Sequence, residues 1–149
     1  MRRRRIVIAS DHAGFDLKQL IGQWLAERSD VEPLDLGPAS AERCDYPDYA
    51  AAVGRAVGHG EADLGILVCG SGIGISIAAN KLPGVRAALC HDATTGALAR
   101  RHNDANVLCL GARIVGEEVA RDTVAAFLEA AFEGGRHAER VGKIHALEG

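Results

Sequence analysis

Five short apolar runs punctuate the chain, at residues 5–10, 31–36, 64–69, 86–90 and 107–110, and stretches of helical character separate them. Each run is close to continuously apolar, the pattern of a strand buried on both faces of a sheet. Strands that alternate with helices at this spacing imply right-handed βαβ units and a parallel, doubly wound α/β sheet. The expected architecture is a Rossmann-like three-layer sandwich: a five-stranded parallel sheet with helices on both faces, formed by residues 1–149 as one domain.

The helical stretches carry their own signals. Phe15, Leu17, Leu20, Ile21, Trp24 and Leu25 share one face of a first helix, and Pro47 suits the opening turn of a second that continues through Ala50, Val53 and Val57. Ile73, Ile77 and Leu82 lie on one side of a third, which the Pro83-Gly84 turn ends. A fourth covers about 92–101. A fifth begins near Gly116, with Glu117 and Glu118 where a helix dipole favours negative charge, and buries Val119, Thr123, Phe127 and Ala130. After Gly134-Gly135 a last segment, 136–147, sets an apolar stripe of Val141, Ile144 and Leu147 beside a basic one of Arg136, Arg140 and Lys143. This last helix packs on its own domain or reaches a neighbouring subunit; five βα units already supply enough helices for both faces, so residues 133–149 are expected to dock on a neighbour.

Composition excludes several classes. The chain holds 18 Gly and 26 Ala, so many of its apolar residues are small enough for close backbone approach. A net charge of -3 and a pI near 6.1 disfavour nonspecific nucleic-acid binding. Arg2 to Arg5 read as a solvated lead-in to the first strand. No membrane-spanning run or signal-type h-region is present in the sequence. Cys44, Cys69, Cys90 and Cys109 include no C-x-x-C pair, and the six His include no H-x-x-x-H pair, so no cofactor or catalytic metal is expected. Reduced thiols suit a cytoplasmic protein.

In an open parallel sheet, ligands sit at the carboxyl ends of the strands, near a topological switch point. Asp11 and His12 follow the first strand, Cys69-Gly70-Ser71-Gly72-Ile73-Gly74 the third, His91-Asp92 the fourth and Gly111-Ala112-Arg113 the fifth. His102 and Asn103 instead close the fourth helix, ahead of the fifth strand. Three glycines in five positions at a strand-to-helix turn let backbone N–H groups converge at the positive end of a helix, a cradle for an anion. A dinucleotide fingerprint fits poorly, because counting from Gly70 or Gly72 puts Ile75 or Ile77 where the third glycine belongs. Cys69 at this helix N-terminus is placed for thiolate chemistry, with inert core as the alternative; Cys90 and Cys109 read as inert core. Asp11 and His12 beside Cys69, with the Ser71 hydroxyl two residues on, suit proton abstraction next to a carbonyl. Arg136 and Arg140, at i and i+4, clamp a phosphate or form a solvated basic face.

Asp11-His12-Ala13-Gly14-Phe15, Asp45-Tyr46-Pro47, Cys69 to Gly74 running into Ile77-Ala78-Ala79-Asn80-Lys81, Arg101-His102-Asn103-Asp104, and Glu133-Gly134-Gly135-Arg136-His137 occur in that order. Together they resemble the ribose-5-phosphate isomerase type B family, which also includes galactose-6-phosphate isomerase subunits and allose-6-phosphate isomerases. The resemblance implies a metal-independent aldose–ketose isomerase of the pentose phosphate pathway. It also implies a phosphorylated-sugar substrate, a cis-enediolate, and a dimer or tetramer with sites at the subunit interface. It makes Cys69 the base, with His102 and Asp11 opening the furanose ring. Ser71, Gly70, Gly72, Ile73 and Gly74 would hold the enediolate with Asn103 nearby, and His12, Arg113, Arg136 and Arg140 the phosphate. Ser71 replaces a Thr of other members, and Ile75 stands where a thiol-free branch has Glu. The length of the sugar is left open, as are a noncatalytic phosphate- or nucleotide-binding module and a thiol-redox protein.

Overall fold

The computed structural model describes residues 2–149. Eleven elements alternate as expected: β1 (Arg4–Ser10), α1 (Phe15–Ala26), β2 (Val31–Asp35), α2 (Tyr46–Gly58), β3 (Leu64–Cys69), α3 (Ile73–Ala79), β4 (Ala87–Leu89), α4 (Ala93–Asn103), β5 (Val107–Gly111), α5 (Glu117–Glu129) and α6 (Arg136–Ala146). All pairings are parallel, in the order β2-β1-β3-β5-β4. Two apolar cores lie on the two sheet faces. One joins α1, α5 and Ala99 of α4 to Ile6, Ile8, Ile66 and Leu108. The other joins α2 and α3 to Val7, Leu67, Cys69 and Val107.

The central strands β1, β3 and β5 behave as the apolar runs predict. The outer two do not: β2 leaves Leu34 59% exposed, and every residue of β4 is only partly buried. Their apolar runs reflect an edge position covered on one side, which strand composition alone does not distinguish from a central one. Two helices are also rotated from expectation. α3 buries Ile75, Ser76 and Ala79 and turns Ile73 and Ile77 outward, while α5 buries Ala120, Val124 and Leu128 with Thr123 and Phe127 and leaves Val119 exposed.

From β1 the chain crosses to β2 on one side and then to β3 on the other, so the switch point lies between the carboxyl ends of β1 and β3. There the two connections are very close: a Cβ on Gly14 would lie 2.6 Å from the Val68 carbonyl oxygen. Because the obstacle is β3 backbone, Gly14→Ala is expected to destabilise the fold by about 1–3 kcal/mol. Urea unfolding checks this, as a lower midpoint with an unchanged slope.

Two of the four N-terminal arginines are tied down rather than merely solvated. Arg2 makes a two-pronged ion pair with Asp63 at 3.1 and 3.0 Å, and Arg4 donates to the Leu128 carbonyl at 2.7 Å. α6 rests on its own chain through the buried His137 and Val141, and an Arg86–His145 hydrogen bond of 2.7 Å fastens its end. Its inner face therefore packs on its own domain. Its outer face, with Arg136, Arg140, Ile144 and Leu147, remains exposed.

Candidate active site

The glycine-rich turn closes directly on the thiol. Gly72 adopts φ +78, and its N–H points at Cys69 Sγ at 3.1 Å, a contact that a thiolate accepts more strongly than a thiol. The Ile73 N–H donates to Ser71 Oγ at 3.1 Å. These two amides are thus spent inside the turn. The N–H groups of Gly70, Ser71 and Gly74, all in partly exposed residues, have no partner among the described residues and form the open part of the cradle, whereas Ile75 is fully buried.

The neighbouring loops wall this cradle. Asp11 is buried, and its Oδ1 accepts from the Gly14 N–H at 3.0 Å, which aligns the carboxylate at the mouth of β1. The loop after β5 is stapled on by Ala112 N–H to Cys69 O and Arg113 N–H to Gly70 O, both at 2.9 Å. An Arg113 side-chain nitrogen lies 3.3 Å from where a Gly70 Cβ would stand, so its guanidinium covers Gly70. His12 Nδ1 is held by the backbone of Cys44, 3.2 Å from its N–H and 3.1 Å from its carbonyl, which leaves Nε2 to meet an anion. The loop carrying Cys44 is itself pinned by Lys18, a side chain only 1% exposed. Its Nζ donates to Asp35 Oδ2 at 2.5 Å and to the Pro38 carbonyl at 3.0 Å.

Tyr46 belongs to this constellation although its residue type gave no chemical cue. Its ring lies against Gly74, 2.6 Å from the place of a Cβ there, and its hydroxyl is 2.9 Å from the same place. The Asp45-Tyr46-Pro47 start of α2 was its only signal. Burial pushes the thiols of Cys90 and Cys109 up, which suits an inert role for both.

The remaining predicted site residues stand at the other end of the sheet. α4 runs back from the carboxyl end of β4, so His102 and Asn103 sit beside Asn106, whose carbonyl accepts from Gly65 at the start of β3. The six residues of β3 separate this edge from Cys69 by about 16 Å. The segment after α5 joins His102, with Glu133 N–H donating to the Arg101 carbonyl at 3.0 Å. Arg136 and Arg140 follow on exposed positions of α6, and no acidic side chain pairs with either among the described residues. One chain therefore holds the candidate site residues in two separate clusters: Asp11, His12, Cys69, Gly70, Ser71, Gly72, Ile73, Gly74 and Arg113 at the carboxyl edge, and His102, Asn103, Arg136 and Arg140 at the amino edge.

With this geometry in place, the chain matches the family model Ribose/Galactose Isomerase over residues 6–144. The chain belongs to this family. It is 52% identical to ribose-5-phosphate isomerase B of Escherichia coli (strain K12) over 145 residues, 97% of each chain. Family members with solved structures share the fold. A type B ribose 5-phosphate isomerase from Trypanosoma brucei superposes with a TM-score of 0.96 at 52% identity, covering 99% of this chain and 100% of that one. The Mycoplasma genitalium enzyme, solved with bound ribulose-5-phosphate, gives a TM-score of 0.92 at 46% identity over 97% of this chain and 95% of that one. Among the described residues no helix is long and apolar enough to cross a membrane.

Proposed function

We propose that this chain is a metal-independent aldose–ketose isomerase that interconverts ribose 5-phosphate and ribulose 5-phosphate, with Cys69 as the base. The observation that carries this reading is the Gly72 N–H aimed at Cys69 Sγ on the floor of an open amide cradle, in a chain half identical to named isomerases of that reaction. The thiolate takes the proton from C2 of the open-chain aldose, and the electron pair moves onto the C1 oxygen to form a cis-enediolate. The Gly70, Ser71 and Gly74 amides stabilise the developing charge. The Ser71 hydroxyl passes a proton between the two oxygens, and the Cys69 thiol returns its proton to C1, giving the ketose. Proton transfer by the thiol supplies about 10²- to 10⁴-fold, so the cradle carries a comparable share.

Each cluster is half of a site, and the two half-sites combine in a homodimer. The carboxyl edge of one protomer receives the amino edge of its partner, which brings His102 to the furanose ring opposite Asp11 and brings Arg136 and Arg140 to the phosphate beside His12 and Arg113. Exposed apolar side chains flank both edges, with Ile73 and Ile77 on α3 and Ile144 and Leu147 at the end of the chain.

The deciding experiment compares kcat/KM for ribose 5-phosphate, allose 6-phosphate, galactose 6-phosphate and a four-carbon sugar phosphate, each after exhaustive chelation. Highest efficiency with ribose 5-phosphate, undiminished by the chelator, is the expected result. Preference for a hexose phosphate would reassign the substrate, and loss of turnover on chelation would refute metal independence. For Arg136→Ala and Arg140→Ala, KM is expected to rise about 10- to 100-fold with kcat little changed, since each deletes a charge-assisted contact to phosphate. Unchanged KM in both variants removes them from the site.

A further inference from the structure

Three side chains distant in sequence meet at the amino edge. His102 ends α4, Glu133 lies in the segment after α5, and His137 stands in the first turn of α6. One Glu133 carboxylate oxygen, Oε1, is 3.8 Å from His102 Nε2 and 3.6 Å from His137 Nε2, and one donor atom from each residue lies within 4.8 Å of the other two. Two imidazole nitrogens and a carboxylate oxygen form a donor set suited to a first-row transition cation, with a fourth position left to water. A tetrahedral Zn²⁺ with bonds of about 2.0–2.1 Å holds its ligand atoms about 3.3 Å apart, so the two carboxylate separations need shorten by only about half an ångström.

The surroundings set the strength of such a site. The two rings stack with centroids 4.3 Å apart and planes inclined by 7°, so both must turn about Cβ–Cγ before their lone pairs converge. Neither Nδ1 has a hydrogen-bond partner among the described residues, a lack that weakens affinity about 10- to 100-fold. Arg136 and Arg140 add repulsion. Those terms suit a reversible, regulatory occupant and not a permanent structural one.

We propose that His102, Glu133 and His137 form an inhibitory site for a divalent transition cation, Zn²⁺ above all, which withdraws His102 from ring opening. The site depends on geometry alone; the inhibition rests on the isomerase reading above. Co²⁺ titrated into the full-length, metal-free protein is expected to give a visible absorption band of a tetrahedral centre, at one ion per chain. Zn²⁺ should abolish the band, whereas Mg²⁺ and Ca²⁺, which prefer all-oxygen ligands, should leave it. Glu133→Gln and His137→Gln should each lower Co²⁺ affinity at least about 10-fold, and Cys69→Ala should leave it unchanged. In the isomerase assay, micromolar Zn²⁺ should inhibit the parent protein and a chelator should restore it, with the His137→Gln variant resistant. A band that survives both the Glu133→Gln and His137→Gln substitutions, or that vanishes with Cys69, overturns the site. Co²⁺ binding without Zn²⁺ inhibition of an active enzyme overturns the regulation. Binding in a protein with no isomerase activity on any sugar phosphate keeps the site and overturns the isomerase reading instead.

Discussion

Cys69→Ala is expected to lower kcat for ribose 5-phosphate by about 10³-fold, within the span that a positioned base contributes, while substrate affinity changes by no more than a few-fold. The separation of effects follows from what Cys69 touches. Its Sγ accepts one hydrogen bond, from the Gly72 N–H, and the side chain is 4% exposed on the floor of the turn. Alanine removes one sulfur atom from the end of a strand whose backbone stays paired to β5 at Gly111 and to the following loop at Ala112. The cradle amides of Gly70, Ser71 and Gly74 and the side chains of His12 and Arg113, proposed to hold the phosphate, belong to other residues, so they keep their places. Cys69→Ser tests the chemistry more finely. An oxygen there can still accept from Gly72, yet it is a far weaker proton acceptor near pH 7, so kcat should fall almost as far as with alanine. Equilibrium titration of ribose 5-phosphate into the alanine variant, set against the parent KM, measures affinity, and single-turnover rates measure chemistry. Near-parental turnover in either variant would remove Cys69 as the base.

Much of this half of the site was legible in the order of residues. The glycines at 70, 72 and 74 mark a turn that only a strand-to-helix junction needs, and parallel-sheet topology puts that junction at the ligand-binding edge. Less visible was how the turn uses its own amides. Nothing in the spacing says that Gly72 and Ile73 donate to Cys69 and Ser71, which leaves Gly70, Ser71 and Gly74 as the open donors. Edge strands were illegible for a similar reason. Leu34 and Leu89 are as apolar as central residues, and only pairing order shows that β2 and β4 are outermost. Helix rotation escaped as well, because α3 has isoleucines on two sides and tertiary contact chose Ile75 over Ile73 and Ile77. The juxtaposition of His102 with His137 arises from packing of α6 on α4, and no local histidine spacing encodes it.

Mixing two inactive variants is expected to restore activity. Cys69→Ala disables the carboxyl-edge half-site and His102→Asn the amino-edge half-site, and in one chain these edges are about 16 Å apart along β3. If each site joins one edge from each protomer of a two-fold dimer, a mixed dimer holds one site with both lesions and one with neither. Random reassortment makes half of the dimers mixed, so an equal mixture should recover about one quarter of parental kcat, with a parental KM. The KM matters because the intact site contains only native residues, including Arg136 and Arg140 from one chain and Arg113 and His12 from the other. Subunit exchange through mild denaturant, or co-expression with two affinity tags and isolation of the doubly tagged dimer, supplies the mixed species. The doubly tagged form should then show about half of parental kcat. No recovery in a verified mixed dimer would mean that both edges serve a site within one chain. The separation of His102 from Cys69 would then require a rearrangement of α4 and not a second protomer.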